Sequence, residues 1–178
     1  MSSARLSRPT SRLGNARGPA PGEAAASEPD PLALASQLCF ALYASSLAIQ
    51  RRYREPLAAL GLTYPQYLVM LVLWAEDGLS VSAVGARLML DSGTLTPLLK
   101  RLAAQGLLER RRGTEDERRV ELHLTPAGRA LRRRALNLPT QMAAAIGCTP
   151  EVLEPMVEEL HELRRALQDD LSGPGPAG

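Results

Sequence analysis

Aromatic residues are scarce in this chain. Four tyrosines, one tryptophan and one phenylalanine make up 3% of its 178 residues. A core must then rest on Leu, Ala and Val, which favours helices. Lysine is scarcer still: Lys100 stands alone, and every other basic side chain is arginine. An excess of one charge is also missing, with 21 Lys and Arg against 19 Asp and Glu for a net charge of +2. No global basic field points to nucleic acid, so a site for it must be local. Two cysteines, Cys39 and Cys148, stand far apart, which excludes a disulfide framework and a zinc site. No apolar run is long enough to span a bilayer. A cytoplasmic protein without metal or cofactor is expected. What is present, 45% hydrophobic residues, supplies one domain of ordinary size plus a tail.

The densest information lies between Leu79 and Thr125. Val81, Val84 and Leu88 share one face of a short helix, and Leu95, Leu98, Leu99 and Leu102 share one face of a second. Asp91 and Ser92 lie between them, and either suits an N-cap. Gly106 is placed to end the second helix. Two strand-like runs follow, Leu107–Arg112 and Arg118–Leu124, joined by a turn from Gly113 to Glu117. Helix, turn, helix, hairpin is a winged helix-turn-helix pattern. The second helix offers Ser92, Thr94 and Thr96 near its start, then Lys100 and Arg101, away from its apolar face. Hydroxyls there suit base edges or phosphates in a major groove. The hairpin carries Arg110, Arg111, Arg112, Arg118 and Arg119, which suit phosphates and the minor groove. Glu115, Asp116 and Glu117 among them also fit a plain solvated surface.

Around this unit the chain reads as helical. Residues 1–30 are rich in Ser, Ala, Pro, Gly and Arg and read as a disordered tail. Its Arg- and Ser-rich start is compatible with a transit peptide, but Pro9, Pro19 and Pro21 interrupt any amphipathic helix. A helix is predicted from Leu32 to about Arg54, with Leu38, Leu42 and Ile49 on a stripe, ended by Pro56 and Gly61. Thr63-Tyr64-Pro65-Gln66 has capping-box spacing and opens a helix to about Glu76, with Leu68, Leu71, Val72 and Trp74 mostly buried. Thr125-Pro126 opens another, through Arg134 and on to Leu138, where Pro139 breaks it. Gly147 ends the next piece and Cys148 falls in the gap. The last helix runs from Thr149 to about Leu171. Its Leu153, Met156, Leu160, Leu163 and Leu167 form a seam that suits either a second subunit or the chain itself. Residues 172–178 are a flexible tail. The expected fold is mainly α with a small β-hairpin wing: a reading part over 62–125, and N- and C-terminal dimerisation helices over 31–60 and 126–171. A two-fold dimer would match double-stranded DNA with a palindromic operator.

This order of elements resembles the MarR family of dimeric bacterial repressors. Three blocks, Leu38-Cys39-Phe40-Ala41-Leu42-Tyr43, Gly61-Leu62-Thr63-Tyr64-Pro65-Gln66-Tyr67 and Leu90-Asp91-Ser92-Gly93-Thr94-Leu95-Thr96, resemble its organic-hydroperoxide-sensing members, the OhrR type. So does Asp116-Glu117-Arg118-Arg119 in the wing. The resemblance spans roughly Gln37 to Leu171. It implies that Cys39 is the thiol oxidised by organic hydroperoxides, and that Tyr53 and Tyr64 reach its sulfur from the other subunit. It also implies that Cys148 resolves the sulfenic acid as an intersubunit disulfide. It places Arg118 at the wing tip, braced by Asp116.

The chemistry of such a sensor asks for a thiolate, the nucleophilic form of cysteine. A tyrosine O–H donated to sulfur favours the anion. With a helix beginning near Pro31, Cys39 sits about two turns in, and the helix dipole adds little. Phe40, Leu42 and Trp74 suit an apolar pocket for an alkyl peroxide. The competing reading of Cys39 is a small buried hydrophobe, in a repressor released by a small aromatic ligand. A thiol peroxidase is disfavoured, since no telling motif surrounds Cys39 and an enzyme has no need of a wing. The expectation is a non-enzymatic, redox-sensing repressor.

Overall fold

The computed structural model describes residues 30–112 and 120–172. The predicted N-terminal tail, the wing tip with Asp116, Arg118 and Arg119, and the C-terminal tail after Ser172 lie outside the described residues. The chain divides into two compact units, Met1–Ala41 and Leu42–Gly178. Its elements run in the order α1 (Leu38–Ala58), α2 (Tyr64–Ala75), β1 (Leu79–Ser80), α3 (Val81–Leu88), α4 (Ser92–Ala104), β2 (Leu108–Arg112), β3 (Val120–Leu124), α5 (Pro126–Ala135), α6 (Leu138–Ile146) and α7 (Pro150–Ser172). This is the expected mainly helical winged helix-turn-helix. Among the described residues no helix is long and apolar enough to cross a membrane.

In the first unit the helix starts later than expected. Asp30 takes the Leu32 N–H on its carboxylate at 2.9 Å and the Ala33 N–H on its carbonyl at 2.9 Å. A 3-10 turn follows at Leu34–Ser36, and Gln37 is extended, at φ −85° and ψ 118°. An extended residue cannot continue the hydrogen-bond ladder, so α1 begins at Leu38 rather than Leu32. At its other end α1 absorbs Pro56 and ends at Ala58, where the expectation was about Arg54.

In the second unit the helix starts are chemically specified. Gln66, itself buried, accepts the Thr63 N–H on Oε1 at 2.8 Å and the Thr63 hydroxyl at 3.1 Å. Ser80 Oγ accepts from Ala83 N at 3.1 Å at the start of α3, and Thr125 Oγ1 accepts from Gly128 N at 3.0 Å at the start of α5. Between the two candidates for α4, Asp91 is the N-cap and Ser92 the first helical residue. Such caps stabilise a helix start by about 1 kcal/mol each in general.

The core joins α2, α3, α4, the wing base and α5. Leu95, Leu99 and Leu102 of α4 are fully buried and pack with Val84, Leu108 and Leu122, each such side chain stabilising the fold by about 1.5–3 kcal/mol. The buried face of α2 differs from the expected one. Tyr67, Val69, Met70 and Leu73 are buried, Leu68, Val72 and Trp74 are half-buried, and Leu71 is 41% exposed. The run YLVMLVLWA is apolar on every side, so its periodicity selects no face. The wing is a three-stranded antiparallel sheet in the order β1-β3-β2. Leu79 lies opposite Leu122, and Leu108 opposite Leu124. The two-residue β1 was not legible beforehand. Asp77 ties the sheet to α5: its carboxylate accepts the Leu124 N–H at 2.7 Å and pairs with Arg129.

α5 ends at Ala135, short of Leu138, and α6 restarts there with Pro139 in its first turn, where a missing N–H costs nothing. No described side chain of α7 is buried. The seam is there: Met156, Leu160 and Leu167 are exposed, and Leu153 and Leu163 half-buried.

Candidate DNA interface and redox cysteines

The reading surface follows from the burial of α4. With Leu95, Leu99 and Leu102 inward, Ser92, Thr94, Lys100 and Arg101 are exposed and Thr96 half-buried. Thr94 is not simply free. Its N–H donates to Asp91 Oδ1 at 2.9 Å and its hydroxyl donates to Asp91 Oδ2 at 2.7 Å. These bonds, the side-chain one first, hold the Asp91 carboxyl below its usual range. Thr94 thus presents hydroxyl lone pairs outward while its proton serves the cap. Arg101, in the last turn, faces a different cleft, lined by Gly61, Leu62, Thr63, Gln66 and Gln105.

A cleft of about 480 Å³ separates α3, α4 and the wing. Its walls include Ser80, Ser82, Ser92 and Arg110, over a floor that includes Val81, Leu90 and Leu95. The N-terminus of α3 and the Arg110 guanidinium favour an anion there, while the N-terminus of α4 already carries the Asp91 carboxylate. Ser80 and Ser82 are not among the residues expected from the sequence. The signal was present, since Ser80 immediately precedes the first apolar-periodic residue, as an N-cap does. On β2, Arg110, Arg111 and Arg112 are exposed, and Arg111 is paired with Glu109 at 2.9 Å.

Cys39 is exposed and is the second residue of α1. The sequence predicts a position two turns inside a helix. With α1 starting at Leu38, Cys39 lies in the first turn of the helix instead. Cys148 is half-buried. Its N–H donates to the Ala143 carbonyl at 3.1 Å, closing α6 behind the left-handed Gly147. That places the thiol in the joint between α6 and α7.

The two candidate tyrosines come together. The Tyr53 and Tyr64 rings lie 5.2 Å apart, and Tyr53 and Tyr67 5.8 Å apart. Burial, then the neighbouring Tyr67 and Tyr64, push the Tyr53 phenol above its usual range. It therefore remains a protonated donor throughout the neutral range. Trp74 is taken up elsewhere. Its Nε1–H donates to the Gly128 carbonyl at 2.9 Å, and its ring helps line a cavity of about 210 Å³ with Tyr67, Leu71, Arg132 and Leu136.

Residues 52–134 match the family model for the transcriptional regulator SarA/Rot. The chain is 51% identical over 138 residues to the HTH-type transcriptional regulator TtmR of Methylorubrum extorquens, covering 78% of this chain and 71% of that protein. It is 43% identical over 138 residues to the organic hydroperoxide resistance transcriptional regulator of Bacillus subtilis, covering 78% of this chain and 94% of that one. Among solved structures, reduced AbfR bound to DNA, from Staphylococcus epidermidis, aligns with a TM-score of 0.66 at 34% identity, covering 78% of this chain and 94% of AbfR.

Proposed function

The chain belongs to the MarR-type DNA-binding transcriptional regulators, within the organic-hydroperoxide-resistance type, and we propose that it is a dimeric repressor that leaves its operator when Cys39 is oxidised. The observation that carries this reading is the exposed Cys39 thiol in the first turn of α1. AbfR, which is known reduced on DNA and in a disulfide-formed state, supports a redox-active cysteine in this fold; its overoxidised form is also DNA-bound, so release is assigned to the disulfide.

The Cys39 thiolate attacks the terminal oxygen of an organic hydroperoxide. An S–O bond forms, the O–O bond breaks, and the alcohol departs with a proton. Sulfur loses two electrons and becomes a sulfenic acid. Tyr53 and Tyr64 of one protomer donate to the sulfur of the other. The Cys148 thiol then attacks the sulfenic sulfur, an S–S bond forms and water leaves. Because Cys148 sits between α6 and α7, that bond pulls the joint and turns the two reading heads away from half-sites about 34–36 Å apart. The uncovered seam of α7 supplies the dimer surface. On DNA, Ser92, Thr94, Thr96 and Lys100 face the major groove. Ser82 and Arg110 hold a phosphate in the cleft between helix and wing, and Arg118 and Arg119 grip the backbone beyond it.

The test follows operator binding under alkyl hydroperoxide, hydrogen peroxide and dithiothreitol. Cys39→Ser binds and is not released by alkyl hydroperoxide. Tyr53→Phe and Tyr64→Phe bind and respond more slowly. Oxidised wild type runs as a covalent dimer on non-reducing gels and Cys148→Ser does not. Release of Cys39→Ser by organic hydroperoxide removes the sensor assignment. It would favour the second reading, a small aromatic effector, for which the cavity beside Tyr67 and Trp74 is the observation.

A further inference from the structure

Met89 occupies a position that usually belongs to glycine. It caps α3 at φ 55° and ψ 39°, and among the described residues it is the only non-glycine at positive φ. A side chain is disfavoured in that conformation. A residue kept against a local rule points to a use elsewhere. Met89 is 59% exposed, in the short turn between the two reading helices. The turn itself is tight. Leu90 N–H donates to the Gly85 carbonyl at 3.0 Å, and a Cβ at Gly85 would stand 2.9 Å from the Leu90 carbonyl oxygen. Two donors on α7 reach the Met89 sulfur: Gln168 Nε2 at 3.7 Å and Arg164 Nη1 at 3.9 Å.

We propose that Met89 is a second oxidation site, whose sulfoxide fastens the helix-turn-helix to α7 through Arg164 and Gln168. Neither cysteine takes part. With hydrogen peroxide as oxidant, a sulfur lone pair attacks one peroxide oxygen. An S–O bond forms and the O–O bond breaks. Hydroxide leaves and is protonated to water, and the two electrons lost by sulfur are gained by the peroxide. A thioether is a weak acceptor, and a sulfoxide oxygen is a strong, polar one. It forms directly in front of a guanidinium and a carboxamide. The contact to α7 changes from a loose one, past which the reading head can turn, to a polar anchor. A head anchored to the C-terminal helix adjusts less well to the groove, so oxidation weakens operator binding.

The experiment uses the full chain as Cys39→Ser/Cys148→Ser, so that thiol chemistry contributes nothing. The protein is treated with hydrogen peroxide, its methionines are followed by peptide mass, and operator affinity is measured at each stage. Met89 gains one oxygen while the buried Met70 and Met142 do not. Affinity falls about tenfold or more in step with oxygen at Met89, and a methionine sulfoxide reductase restores it. Met89→Leu on the same background keeps its own starting affinity through the treatment. Arg164→Ala/Gln168→Ala leaves the turn untouched; it gains oxygen at Met89 and keeps its affinity. The proposal is overturned if Met89 stays unoxidised while the exposed Met156 is oxidised. It is equally overturned if complete oxidation of Met89 leaves affinity unchanged, or if either comparison variant loses affinity as the parent does. Should Met89→Leu fail to fold, the α7 double variant decides.

Discussion

Substituting Gly128 with alanine is expected to loosen the joint between the wing and the C-terminal helices. Gly128 is buried in the first turn of α5. A Cβ built there would lie 2.0 Å from the Leu107 carbonyl oxygen, 3.1 Å from its carbon and 3.2 Å from Leu124 Cδ2. The nearest obstacle is backbone, so no side-chain rotation relieves it. A tolerable contact needs α5 and the strand entry to part by about 1 Å. Two hydrogen bonds cross that seam, Thr125 N to the Leu107 carbonyl at 3.2 Å and the Thr125 hydroxyl to the Gly106 carbonyl at 2.6 Å. Each contributes about 1 kcal/mol, and overpacking costs about 1–3 kcal/mol more. Replacing a helical glycine returns about 1 kcal/mol of propensity. The net expectation is a loss of about 2–4 kcal/mol. Urea unfolding of Gly128→Ala reads this directly from the midpoint at constant slope. Gly93→Ala is the comparison, since the nearest obstacle to its added Cβ among the described residues is a carboxylate oxygen of the flexible Asp91 side chain, at 3.0 Å. A Gly128→Ala protein as stable as wild type, or more so, would refute the argument from close approach.

Three further outcomes are expected. Arg118→Ala should weaken operator binding and reduce its salt dependence by about one counterion; unchanged affinity and slope would take the wing off the DNA. Thr94→Val keeps the side-chain shape and the backbone N–H bond to Asp91, gives up the hydroxyl bond to Asp91, and should cost about 1–3 kcal/mol on the cognate site if the outward lone pairs read a base. An equal loss on random DNA would assign a phosphate contact instead. Asp91 has a lowered carboxyl pKa, so its contribution to stability is complete above the ordinary value of 3.8 and disappears as pH falls through the lower folded value. Asp91→Asn retains an acceptor at the cap without that titration, and acid unfolding of the two proteins should diverge only in this window.

Much of the molecule is written locally. The Thr63–Gln66 box, the serine, aspartate and threonine caps, the glycine after α6 and the leucine stripe of α4 depend on neighbours within a turn or two. Periodicity and side-chain chemistry along the sequence therefore suffice to place α2 through α7 and the hairpin. The candidate reading residues were legible for the same reason: once the apolar face of α4 is known, the opposite face is known too. Cys39, Tyr53, Tyr64 and Cys148 were singled out by motif resemblance.

What tertiary structure decided involves partners distant in sequence or a choice among equivalent local options. β1 exists because Leu79 and Ser80 pair with Leu122 and Glu121, a register no two-residue run encodes. The buried side of α2 was set by what packs on it, because its sequence is apolar all round. The start of α1 at Leu38, which moves Cys39 into the first turn, came from a competing turn held by Asp30 and from an extended Gln37. Two equally short-range signals conflicted there, and hydrogen bonding chose between them. Gly128 looks like an ordinary helix-weakening glycine until Leu107 is seen beside it. Met89 looks like an ordinary surface methionine until its left-handed backbone and the donors of α7, 75 and 79 residues further along, are brought to the same place.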